Sequence, residues 1–131
     1  MLNNMENKEK IDLNKISTLT LSFLGDGVYD LLVREYLISK GDKHVGELNN
    51  EKVNLVNCKA QAESAKKLLD YLSEEELDIY KRGRNAKVNS VSKHSTIADY
   101  HSATGLECLF GYLYLQNKTD RIKELFLLTV E

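Results

Sequence analysis

Two acids stand out because of what surrounds them. In SFLGDGVYDLL, residues 22–32, Asp26 lies between two glycines inside an apolar stretch. In SATGLECLFGYLYL, residues 102–115, Glu107 is flanked by Leu106, Cys108, Leu109, Phe110 and Leu113. An unpaired buried charge is expensive, so a carboxylate in such a setting needs a partner. One explanation serves both: Asp26 and Glu107 bind the same divalent cation. Magnesium suits one or two carboxylates with water and phosphate oxygens, and such an ion can polarise a phosphodiester and activate the attacking water. A second reading stays open on these residues alone. Asp26 could be a surface aspartate, and Glu107 could pair with an arginine or accept tyrosine hydroxyls.

The residues around Asp26 follow helical spacing, with Ser22, Asp26 and Asp30 forming a polar stripe at i, i+4. Leu24, Val28 and Leu31 fall opposite Asp26, whereas Phe23, Tyr29 and Val33 border it. Asp30 reads as a solvated residue or as the partner of Arg34 one turn on. Gly25 and Gly27 each cost about 1 kcal/mol of helix stability relative to alanine. Glycines kept at that cost admit a second helix or a ligand close to the backbone, which makes both of them clearance around a metal and a close helix partner.

A second chemical signal is KRGRNAKVNSVSKH, residues 81–94, with five cations and no acid, directly after the acidic SEEELD. Cations alternating with glycine, asparagine and serine suit phosphate contacts, and the lack of aromatics argues for reading the shape of a duplex rather than stacking on single strands. Arg82, Arg84, Asn85, Lys87 and His94 are the candidates here, joined by Lys59. A solvated charged loop is the plainer reading of such a run. His44, His94 and His101 share no metal or triad spacing, and His101 reads as a contact preceding the Glu107 helix. Ser22, Ser102 and Thr104 have no histidine at helical spacing, so covalent catalysis has no support.

These groups need elements to hold them. The 131 residues fit one domain: a polar arm over 1–15 and a single folded unit over 16–131. No apolar run is long enough to span a bilayer and no signal peptide is recognisable, so a membrane partner is excluded and the cytoplasm is the expected location. Cys58 and Cys108 read as reduced packing residues. A net charge of −2 means that nucleic-acid binding must rest on local charge. Ser17 or Thr18 should cap a first helix ending at Gly41. Residues 45–72 read as helical with a break near Asn57. Ser73 and Glu76 form a capping box for a helix that frays near residues 83–85. Helical pattern resumes at Thr96, turns at 117–120 and ends in RIKELFLLTV. No strand alternation occurs, and the fold class is all-α, a compact helical bundle.

FLGDGVYDLLVREYL together with ATGLECLFGYLYL resembles the two signature helices of the ribonuclease III catalytic domain, and KRGRNAK between them resembles the Mini-ribonuclease III subgroup. The resemblance covers roughly residues 17–130 and leaves no room for a separate double-stranded-RNA-binding domain. It implies an all-helical homodimer whose valley holds double-stranded RNA, hydrolysed with magnesium (manganese as a substitute) to 5′-phosphate and 3′-hydroxyl ends. For the subgroup it implies 23S ribosomal RNA maturation; the small size of the chain adds the expectation that dimerisation or a partner such as a ribosomal protein presents the RNA. It maps Asp26 and Glu107 onto the catalytic, metal-binding acids. Longer members carry acids where this chain has Ser22 and Thr104, so these two, with Asp30, become supporting groups that orient water around the metal. Two acids in place of four imply weaker metal affinity, or one ion rather than two. The rivals are a non-catalytic RNA-binding or ribosome-associated scaffold of the same fold, and a helical protein-interaction module.

Overall fold

A computed structural model describes residues 11–87 and 96–131. Among them six α-helices and one 3-10 turn follow in order, and no strand occurs, so the fold is all-α. Helix α1 (Thr18–Ser39) starts where the Ser17 hydroxyl accepts the Thr20 amide at 3.1 Å, and it ends at Lys40 before Gly41. Gly41 has φ +143°, a conformation that side chains rarely adopt. The break near Asn57 is a single extended residue with ψ 161°. It ends α2 (Val45–Val56), and its side chain caps α3 (Cys58–Leu68) by accepting the Ala60 amide at 2.9 Å. A 3-10 turn (Leu69–Tyr71) leads to α4 (Glu74–Arg84), which opens on the Ser73–Glu76 capping box. Thr96 caps α5 (Ile97–Leu115), and α6 (Thr119–Val130) follows a left-handed Asn117.

Helix α5 is the axle. It is apolar on nearly every side, so it can be stable only when surrounded. Leu106, Leu109, Phe110 and Leu113 are fully buried, and α1, α4, α3 and α6 pack around them. Tyr29 and Phe126 complete the centre, with the Tyr29 ring edge-on to Phe110 at 5.4 Å and to Phe126 at 5.5 Å.

Two glycine pairs set how close the neighbours come. A Cβ on Gly25 would stand 1.6 Å from the Glu107 carbonyl oxygen, and one on Gly111 would stand 2.1 Å from that of Leu21. Helices α1 and α5 therefore touch backbone to backbone. On the other side, a Cβ on Gly83 would meet that of Cys108 at 2.7 Å, and one on Gly105 would meet the Tyr80 carbonyl at 2.7 Å. Helix α4 ends at Arg84 with Asn85 as its C-cap, within the stretch 83–85 where an end was expected, but Gly83 itself is buried and forms a close approach of α4 to α5.

Three further readings change. Residues 1–10 of the expected arm lie outside the described residues. Leu13 in its remainder and Ile16 just beyond pack on Leu21, Ile79 and Cys108, while residues 11, 12, 14 and 15 are exposed. His101 lies inside α5, not before it, with its ring edge-on to Tyr100. Leu31 and Phe23 are exposed, and the buried side of α1 is Leu21, Gly25, Val28, Tyr29 and Leu32.

Candidate active site

The close approach of α1 to α5 brings the two singled-out acids together. Because the Glu107 carbonyl rests on Gly25, the Glu107 side chain emerges beside the residues flanking that glycine on α1. The Ser22 hydroxyl donates to Glu107 Oε1 at 3.1 Å, and the Asp26 carboxyl is within hydrogen-bonding contact of Glu107. Ser22 and Asp26 stand one turn apart, so a single face of α1 supplies both. Asp26 itself is exposed, on the solvent side of α1, while Glu107 is half-buried and carries the burial of the pair. Its carboxyl is pushed up to about 8, first by burial and then by the adjacent Asp26.

Helix α3 adds a residue that sequence reasoning missed. Gln61 is 3% exposed, and its side chain lies near enough to Glu107 to draw that carboxyl down. Read locally, it is one polar residue in the alanine-rich stretch CKAQAESA; the only available signal is its place in the run of apolar positions that faces the core. Together, Ser22 and Gln61 draw the Glu107 carboxyl back down, against burial and Asp26. Among the described residues neither Asp26 nor Glu107 forms a salt bridge, and no cluster of three or more histidine, cysteine, aspartate or glutamate side chains occurs. The chain thus supplies two adjacent carboxylates, one open to solvent, two neutral hydrogen-bonding groups and no counter-charge.

The other candidates divide. Thr104 is buried beside the pair in sequence, but its hydroxyl donates to the Tyr100 carbonyl of its own helix at 2.9 Å. Asp30 is held by Arg34 at 2.6 Å and by Lys52 at 3.2 Å. Burial is the largest single influence on the Asp30 carboxyl and raises it, but the two cations together bring it below the ordinary range. Lys52 was not visible as its partner from sequence, because it comes from α2. Lys59 is exposed in the first turn of α3, two residues before Gln61.

The basic end of α4 lies against α5 at Thr104, Gly105 and Cys108, the level of Glu107, because Gly83 packs there. Arg82 is exposed and near enough to Cys108 to oppose the burial that pushes that thiol up to about 11. Arg84 is half-buried with its guanidinium 5.9 Å from the centre of the Tyr80 ring, and its Nε donates to Asn85 Oδ1 at 3.4 Å. Asn85 is the C-cap of α4 and Lys87 is exposed beyond it. His94 lies outside the described residues.

Comparison with known proteins gives the family. The model of the ribonuclease III domain matches residues 19–118. The Mini-ribonuclease 3 of Thermoanaerobacter sp. is 43% identical over 130 residues, covering 99% of this chain and 92% of that one. The Mini-ribonuclease 3 of Clostridium tetani is 40% identical over 122 residues, covering 92% and 81%. A protein of Fusobacterium nucleatum known by crystal structure superposes with a TM-score of 0.82 at 34% identity, covering 91% and 95%. With both signature helices inside the matched span, the chain belongs to the ribonuclease III family, in its Mini-ribonuclease 3 group, and is an endoribonuclease.

Proposed function

We propose that this endoribonuclease cleaves double-stranded RNA with magnesium, leaving 5′-phosphate and 3′-hydroxyl ends. Its substrate is the precursor of 23S ribosomal RNA in the cytoplasm, with a ribosomal protein as the partner that presents it. The observation that carries this reading is the uncompensated pair: two carboxylates pressed together, one at the solvent edge, with no salt bridge to either among the described residues. An all-oxygen donor set of that kind fits magnesium, which takes one or two carboxylates and keeps several waters. Manganese can substitute. The bound ion supplies charge stabilisation at the scissile phosphate and a more acidic attacking water.

The chain's own residues do the rest. Asp26 and Glu107 hold the ion, and Ser22 fixes one Glu107 oxygen. Lys59, Arg82, Arg84, Asn85 and Lys87 hold the duplex by its phosphates, so cleavage weakens as salt rises. A homodimer is supported by the outer face of α1, which bears Asp26 and along which Leu19, Phe23, Leu31 and Ile38 are exposed. Phe23, at 83% exposure, is costly to leave in water, and a second copy seated there would cover it and bring two acid pairs into one assembly.

The test is cleavage of labelled duplex RNA by the purified protein in magnesium, beside Asp26→Asn and Glu107→Gln. Both substitutions should abolish cleavage while leaving duplex binding. Activity surviving both would overturn the site. Binding with no cleavage under any magnesium concentration would favour the scaffold.

A further inference from the structure

Helix α3 contributes no acid to the centre, yet Gln61 reaches into it. A carboxamide buried to 3% exposure costs free energy unless its polar atoms are paired. The rest of the buried face of α3 is small or apolar, Ala62, Ala65 and Leu68, apart from Ser64, whose hydroxyl accepts from the Tyr29 hydroxyl at 3.3 Å. A glutamine set among these residues and against α5 serves a polar partner, and that partner is Glu107. Glu107 therefore meets polar groups from two helices at once, bonded by the Ser22 hydroxyl of α1 at 3.1 Å and approached by the buried Gln61 carboxamide of α3, which packs on α5.

The chemistry of these two groups is informative. A lysine or arginine at position 61 would neutralise the pair and compete with a cation. A leucine would leave Glu107 free to turn. A neutral amide orients the carboxylate and adds no charge, as groups that hydrogen-bond to metal ligands commonly do.

We propose that Gln61 is a positioning residue of the endoribonuclease centre, holding the Glu107 carboxylate in the orientation that faces Asp26 so that both can close on one divalent cation. This rests on the reading that the pair binds such a cation, and the experiment separates the two.

Manganese binding to the full chain without RNA is measured by calorimetry for wild type, Gln61→Leu, Gln61→Asn and Gln61→Glu. Single-turnover cleavage of duplex RNA is followed against magnesium, and duplex affinity is measured in EDTA. Gln61→Leu should bind manganese about tenfold more weakly and need correspondingly more magnesium. Saturating magnesium should restore its rate, and its duplex affinity should equal that of wild type. Gln61→Asn, one methylene too short to reach, should behave alike, and it carries the test if the leucine variant does not fold. Gln61→Glu should do the opposite, binding manganese more tightly than wild type while melting lower in EDTA.

Wild-type manganese affinity in folded Gln61→Leu or Gln61→Asn would overturn the assignment, as would a cleavage defect that magnesium does not restore. A wild-type protein that binds no manganese would overturn the cation reading and the assignment with it. If wild type binds manganese, Asp26→Asn and Glu107→Gln lose it and the Gln61 variants keep it, only the role of Gln61 falls.

Discussion

Glu76 and Glu107 are both glutamates at helix junctions, yet the chain treats them in opposite ways. Glu76 is buried in the first turn of α4, where it accepts the Ser73 amide at 2.9 Å and two bonds from Arg121, at 2.7 and 2.9 Å. Arg121 also donates to the Tyr71 carbonyl and to Glu124. The Glu76 carboxyl is accordingly lowered, first by the Arg121 hydrogen bonds and against burial. Glu107 meets a second acid instead of a cation, and its carboxyl is raised. Burial therefore does not mark the functional acid, since Glu76 is buried and Glu107 only half-buried. What marks Glu107 is a missing counter-charge, left for something outside the chain to supply.

Exchanging the losses should break the comparison if it is wrong. Glu107→Gln should reduce duplex cleavage by at least about a thousandfold. It should not lower the melting temperature in EDTA, because it removes a repelled charge. Arg121→Met should do the reverse, costing about 3 kcal/mol of unfolding free energy in urea by leaving Glu76 buried without its cation. Cleavage per folded molecule should stay at the wild-type level. If Glu107→Gln proves the less stable of the two in EDTA, Glu107 is a structural acid after all.

The glycine that permits the acid pair gives the next largest effect. Gly25→Ala would place a methyl group 1.6 Å from the Glu107 carbonyl, a clash of backbone with backbone that no side-chain rotation relieves. We expect at least about 3 kcal/mol of lost stability. The residual folded protein should show weaker manganese binding, because the helices carrying Asp26 and Glu107 are forced apart. Wild-type stability in Gly25→Ala would mean that the two helices are not in contact there.

Much of this was legible because it is local. The Ser17 and Ser73 caps, the break at Asn57 and the pairing of Asp30 with Arg34 all span four residues or fewer, and one stretch of sequence contains both partners. The oddness of Asp26 and Glu107 was also legible, since apolar neighbours at helical spacing declare a buried face. Gln61, the clasp of Glu76 by Arg121 and the second cation on Asp30 were not. Their partners lie 46, 45 and 22 positions away, on helices whose rotation about their axes no local pattern fixes. The roles of Ser22 and Thr104 looked equivalent for the same reason. Only the packing shows that one hydroxyl turns to Glu107 and the other to its own backbone.

The two glutamates should also impose opposite pH dependences on the metal-free protein. A carboxyl lowered in the folded state stabilises above its unfolded pKa of about 4.3, and that stability is lost as pH falls through the lower folded value. This is Glu76, and Arg121→Met should flatten the acid side of the curve. A carboxyl raised in the folded state contributes stability that is full below about 4.3 and lost as pH rises through about 8. This is Glu107, so wild type in EDTA should weaken from pH 5 to pH 8, and Glu107→Gln should not. Urea midpoints across that range, with and without manganese, decide it; equal slopes in wild type and Glu107→Gln would remove the distinction.

The smallest effect separates the two glycines around Asp26, which the sequence presents as alike. Among the described residues no atom of another element lies within 4 Å of where a Cβ on Gly27 would stand, so unlike Gly25 it gives no helix clearance. Within the isolated chain an alanine there is free of clashes and a better helix former, and Gly27→Ala should raise stability by about 0.5 to 1 kcal/mol. The conformational argument alone would favour alanine, so what the glycine makes room for lies beyond the described residues, on the exposed side of α1 that carries Phe23 and borders Asp26. Gly27→Ala should therefore melt higher yet lose either duplex affinity or self-association in sedimentation. A variant that gains stability and keeps both would leave Gly27 without a role and confine the need for glycine to position 25.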